Sequence, residues 1–193
     1  MPLFKLKGKE LLPIMQGGMG VGVSAHGLAG AVAKEGAVGT IASIDLRRHH
    51  PDLMEQSTQP KSRQAMDQAN LTALDREIKR AREIAGGNGV IAVNIMKAVT
   101  EHPQLVRQAC QSGADAIVMG AGLPFDLPEM ADGFPHVALI PILSDVRGIN
   151  VVLKKWMRKQ KLPDAIVIEH PRYAGGHLGA PKPEDIADPR FDF

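Results

Sequence analysis

One imidazole stands in a run of glycines, Tyr173-Ala174-Gly175-Gly176-His177-Leu178-Gly179. Histidine titrates closest to neutral pH of all side chains, so His177 suits proton transfer or the orientation of an anion. The flanking glycines let the backbone turn tightly and approach a ligand closely. Other residues with chemical potential are Gly17-Gly18-Met19, Asn94, the loop Gly120-Ala121-Gly122-Leu123-Pro124, Ser144 and Glu169. Taken singly they also read as ordinary local structure. Glycine pairs make tight turns, Asn94 can close a turn through its amide, and Ser144-Asp145 can cap a helix. Their common position is the informative part, because each one follows an apolar run.

Those runs must be the elements that position them. Leu11 to Gln16 leads into Gly17-Gly18, and Ser24 is placed to cap a helix from about Ala25 to Glu35 with Leu28, Ala31 and Val32 on one face. Ala37 to Ala42 reads as a second strand, Val90 to Asn94 as a third, Asp115 to Met119 as a fourth, Val137 to Leu143 as a fifth and Asp164 to Glu169 as a sixth. Helices are expected at Thr72–Ile84, Pro103–Gln111, in short form at Leu127–Ala131, and at Asn150–Lys161, the last burying Val151 or Val152 together with Trp156. Residues 45–70 interrupt the rhythm as a polar excursion, a lid or an oligomer contact. Arg47-Arg48 and Lys154-Lys155 read as solvated faces, and the histidines outside the glycine loop as surface or capping residues.

Composition excludes several classes. A net charge of +2 gives no global electrostatic case for nucleic acid or an anionic membrane. Apolar runs fall short of the roughly 20 residues of a membrane span. The first residues do not read as a signal peptide. The single cysteine, Cys110, cannot form an internal disulfide and fits a reducing compartment, so a cytoplasmic location is expected. His49-His50 has no cysteine pair at metal-ligand spacing, and no metal is expected.

Strands alternating with helices imply parallel pairing through right-handed crossovers. Candidate residues after nearly every strand favour a barrel, which builds its site from many strand ends, over an open sheet, which concentrates it at one switch point. The expected fold is α/β, a TIM (β/α)8 barrel that is incomplete, with about six βα units and strands 7 and 8 missing.

The motifs Pro13-Ile14-Met15-Gln16-Gly17-Gly18-Met19-Gly20, Val93-Asn94-Ile95-Met96, Gly120 to Pro124 and Ala174 to Gly179 together resemble the flavin-dependent nitronate monooxygenases, formerly 2-nitropropane dioxygenases. Related NADH:quinone reductases and flavin-dependent enoyl-ACP reductases belong to the same group. The resemblance runs from about Leu11 to Phe193. It implies one FMN-binding barrel domain over residues 1–193, with FMN held non-covalently at its top face. It places Gly18 and Met19 beside the isoalloxazine, Asn94 on the polar edge of the ring, and Gly120, Ser144, Glu169 and Gly176 around the cofactor. His177 matches the catalytic histidine. The implied reactants are an alkyl nitronate and O2, with NAD(P)H as reductant in the alternative reading, and a homodimer is compatible with it.

Two departures accompany the resemblance. Relatives often place a lysine early in the helix after the fifth strand, where this chain has Asn150 with Arg147, Lys154 and Lys155 nearby. The loops after strands 7 and 8, the usual grip on the FMN phosphate, are not in the 193 residues. The expectation is therefore the N-terminal part of a longer enzyme, C-terminally truncated, that binds FMN poorly by itself or is inactive without flavin.

Overall fold

Alternating inner and outer side chains along short β segments organise the protein into two apolar layers. A computed structural model describes residues 2–58, 62–174 and 182–191. Five parallel strands form one sheet in strict chain order: β3 (Val38–Ala42), β4 (Val90–Met96), β5 (Ala116–Gly120), β6 (Ala138–Leu143) and β7 (Val167–Ile168). They follow a small antiparallel hairpin, β1 (Phe4–Leu6) and β2 (Lys9–Leu11). Sequential order with parallel pairing is a singly wound arc, the arrangement of a barrel rather than of an open doubly wound sheet. The result is an α/β half-barrel.

The expected first strand contributes only a bridge. Met15 pairs with Val38, with Gln16 N donating to Val38 O at 2.9 Å and Val38 N to Ile14 O at 3.0 Å. The sixth expected strand shortens to the two residues of β7. Residues 45–70, expected as an irregular excursion, are largely helical: a 3-10 turn over Leu46–His49, α2 (Pro51–Thr58) and the start of α3 (Arg63–Ala85). Leu46, Leu53 and Ala69 are buried in the main core, which docks this segment onto the body.

The helical layer lies on one face of the sheet. Ile41, Ile91, Val93, Ile95, Ile117, Met119, Leu139 and Leu143 point into it and meet α1 (His26–Lys34), α3, α4 (His102–Gln111), α5 (Leu127–Met130) and α6 (Val146–Met157). Val152 and Trp156 are fully buried, as the spacing predicts, and the Trp156 indole donates to Pro124 O at 3.0 Å. The α6 helix begins four residues earlier than expected because Asp145 caps it, accepting from Gly148 N at 2.5 Å.

The face of α1 is a correction. Ala29, Gly30 and Ala33 are buried, whereas Leu28 is exposed. Size decides this face: a β-carbon on Gly30 would come within 2.7 Å of Ile84 Cβ, and one on Gly39 within 1.8 Å of Ala29 O. Only the smallest residues let α1 sit this close to α3 and β3.

The opposite, concave face is lined at its lower end by Val38, Val90, Ala116 and Ala138. Leu6 and Leu11 of the hairpin pack onto these residues and close the floor. No helix among the described residues is long and apolar enough to cross a membrane.

Candidate active-site cleft at the carboxyl ends of the strands

Above the hairpin floor, the carboxyl ends of the parallel strands surround a cleft of about 690 Å³. That is within the size range of small-molecule and cofactor sites. Gly18, Met19, Asn94, Gly120 and Glu169 all line it. Ser144, directly after β6, is not among the lining residues. Gly176 and His177 lie outside the described residues.

The Gly17–Met19 loop is held from beneath by Ser24. Its buried hydroxyl accepts from Met19 N at 2.9 Å and from Gln16 Nε2 at 2.8 Å, and donates to Gly17 O at 3.1 Å. The Gln16 carbonyl oxygen accepts from Thr40 N at 2.9 Å, which ties the loop to β3. Ser24 is therefore not the cap of α1, contrary to expectation. Ala25 takes that place without a side-chain bond.

The cap comes instead from the far side of the core. Glu77 of α3, 1% exposed, accepts from His26 N at 2.7 Å, and sits 2.7 Å from His26 Nδ1 and 3.0 Å from His50 Nε2. Burial works to raise the Glu77 carboxyl, but the backbone and ring of His26, with His50, outweigh it and hold it below its ordinary range. His26 and His50 thus serve a buried carboxylate rather than a surface. Arg47 is likewise buried, between Asp45 and Asn70, and not solvated.

On β4, Asn94 turns toward the cleft with Nδ2 3.4 Å from Val118 O, and its side chain fills the space where Gly18 has no β-carbon. Gly120 keeps the next strand end low, since a β-carbon there would meet Ile142 at 3.1 Å. Met15, Thr40, Ser43, Ile44, Met96, Val118 and Ile142 complete most of the wall. Sequence reasoning passed over them, although the two-residue period that marks Asn94 as inward also marks Thr40, Met96, Val118 and Ile142.

At the rim, Lys97 Nζ lies 2.6 Å from both Asp126 oxygens and 3.0 Å from His102 Nε2. Burial raises the Asp126 carboxyl, and Lys97 more than offsets this, so it stays ionised below the usual range. Asn150 and Arg147 are exposed on the first turns of α6. Among the described residues no cluster of three or more His, Cys, Asp or Glu side chains could hold a metal ion.

A half-barrel with a glycine-lined cleft at the carboxyl ends of its strands is the arrangement in which barrel proteins place their ligand sites. The chain belongs to the nitronate monooxygenase family, whose family model matches residues 5–191. In solved structures it is similar to FabK from Thermotoga maritima, at 20% identity and a TM-score of 0.60 over 87% of this chain and 43% of that one. The M276A mutant of the same protein gives 20% identity and a TM-score of 0.60 over 86% and 45%. Nitroalkane oxidase from Streptomyces ansochromogenes aligns at 16% identity with a TM-score of 0.37, over 89% of this chain and 68% of that one. The chain therefore spans less than half the length of the FabK structures. No curated protein sequence matches it.

Proposed function

We propose that the cleft holds the ring system of FMN and that the protein oxidises alkyl nitronates with O2. The observation that carries this is the convergence of Gly18, Met19, Asn94, Gly120 and Glu169 on one cavity at the carboxyl ends of the strands. The residues fit a flat heteroaromatic group. Gly18 and Gly120 leave room where a side chain would fill the floor, and Asn94 offers a donor and an acceptor at the wall.

When bound, FMN supplies the electron or hydride transfer. The protein's own residues bind and orient. Gly18 and Met19 would flank the ring, Asn94 would hydrogen-bond its polar edge, and Gly120 and Glu169 would complete the lining; the family resemblance adds Ser144, beyond the lining, and Gly176, outside the described residues. His177 would orient the anionic nitronate, whose carbon is already deprotonated, through its imidazole, or act as a general acid or base toward it. The Gln16–Ser24 network keeps the Gly17–Met19 loop at fixed height, so the ring and the substrate meet at a set distance.

A second reading keeps the same cleft. NAD(P)H would reduce the flavin, and His177 would polarise or protonate a quinone or an enoyl thioester. The FabK likeness shows the fold shared with this chain and leaves that chemistry open. Oxygen uptake with propyl-2-nitronate and no nicotinamide, abolished in His177→Ala, is the expected result. NADH oxidation that depends on a quinone or enoyl thioester, without nitronate-driven oxygen uptake, would favour the second reading. Absence of any flavin binding even at millimolar FMN overturns both and leaves the reading of a chain inactive without flavin.

A further inference from the structure

Thr40 is the polar exception on the concave face of β3. Its inward neighbours Val38 and Ala42 are apolar, and so is Ala92, its register partner on β4. The residue is 1% exposed, and its backbone N–H is already bonded to Gln16. The hydroxyl, by contrast, has no partner among the described residues. Thr40 Oγ1 and Arg47 Nε are the two buried side-chain polar atoms left without a hydrogen bond among the described residues. Arg47 at least keeps Asp45, Asn70 and Met66 on its other nitrogens. Thr40 has nothing but the cleft, which it lines.

An unsatisfied buried hydroxyl costs stability, and native proteins rarely carry one without a use. Valine would have the same shape without the cost, and it would suit a strand core better. A hydroxyl can donate one hydrogen bond and accept others, so it fits a ring edge that carries carbonyl oxygens and ring nitrogens. Another side-chain donor lining the cleft, Asn94 Nδ2, already leans toward Val118 O. From these observations we infer that the Thr40 hydroxyl is a cofactor-positioning group, hydrogen-bonded to an oxygen or nitrogen of the flavin ring system from the floor of the cleft. The inference rests on the flavin reading of that cleft.

The test uses the 193-residue chain and lumiflavin, which has the ring system without the ribityl phosphate. Affinity is read from the visible spectrum on titration, and the stability of the ligand-free chain from denaturant unfolding. Thr40→Val is expected to unfold at equal or higher denaturant than the wild type while binding lumiflavin about tenfold more weakly. Thr40→Ser, which keeps the hydroxyl, is expected to bind within about twofold of Thr40, and Thr40→Ala to lose affinity as valine does. The serine and alanine pair isolates the hydroxyl even if the valine chain fails to fold. Equal lumiflavin affinity in the serine and alanine variants overturns the role of Thr40 and leaves the flavin reading standing. A wild-type chain that binds neither lumiflavin nor FMN overturns both.

Discussion

A β-carbon built on Gly18 would stand 2.5 Å from Asn94 Cβ and 2.9 Å from Asn94 Cγ. The loop after the first bridge and the end of β4 are therefore in contact through an absent side chain. Asn94 can turn into the cleft only because residue 18 is glycine. Gly18→Ala is expected to cost about 1–3 kcal/mol of stability by overpacking. It should also displace the Asn94 amide, so flavin titration should show weaker binding than the stability loss alone explains. Asn94→Gly in the Gly18→Ala background removes the clashing Cβ and should recover part of the stability and none of the binding.

Acid should unfold the protein through Glu77. The folded carboxyl ionises below its ordinary value of 4.5, so the unfolded chain takes up this proton first as pH falls. The stabilisation is complete above about pH 4.5 and is lost as pH falls through the folded value. Glu77→Gln is expected to cost about 2–3 kcal/mol near neutral pH, because hydrogen bonds to a charged group are lost while His26 and His50 stay in place. Denaturant midpoints measured from pH 3 to 7 should fall less steeply on the acid side in the variant. An unchanged acid limb would assign the acid sensitivity elsewhere.

Cys110 should be inert while the protein is folded. It is 3% exposed between the helices and the sheet, and burial pushes its thiol up to about 11. Thiolate is the reactive form, so a disulfide reagent at pH 8 should modify native protein orders of magnitude more slowly than unfolded protein. Labelling rates against denaturant should then track global unfolding. Rapid labelling in native buffer would mean that α4 opens locally.

Trp156 is the only tryptophan, and it ties α6 to the loop after β5 through Pro124 O. Trp156→Phe keeps most of the packing and leaves Pro124 O with only its longer bond from Leu127 N, at 3.4 Å, for an expected loss of about 1–2 kcal/mol. Hydrogen exchange should accelerate in residues 120–127, next to the cleft wall formed by Gly120 and Ala121, more than in β4. Uniform acceleration across the sheet would mean that the indole acts through global stability alone.

Most strands and helices were legible because their apolar residues repeat at the period of the element that buries them. Ile91, Val93 and Ile95 face the helices while Ala92 and Asn94 face the cleft, and that alternation is written in the chain. Val152 and Trp156 were legible for the same reason. What failed to show were choices made by partners distant in sequence. Ser24 has the right identity and place for a cap, yet Glu77, 51 residues from His26, took that duty and freed the hydroxyl for the loop. Arg47 looks solvated until Asp45 and Asn70 enclose it. The α1 face followed steric closeness rather than hydrophobicity, because Gly30 and Ala29 admit a nearer neighbour than Leu28 could. The hairpin strands, three residues each, are too short to show a period. Their one signal was Lys7-Gly8, both with positive φ, at the turn.

The strict chain order of the sheet has a kinetic side. Each strand from β4 to β7 pairs with the one made just before it, so every new βα unit finds its template already in place. The pairings from β4 to β7 join residues 22–25 positions apart and that of β3 with β4 spans 52, which favours stepwise accretion in chain order during synthesis. The hairpin breaks that locality. Lys9 reaches Gly89 O and Asp115, and Lys7 pairs with Asp164 more than 150 residues downstream. The hairpin, made before the strands it spans, is thus expected to be the last to settle, a latch that drops once they exist. Pulse-labelled exchange should find Leu6 and Leu11 protected later than Val93 and Ile117.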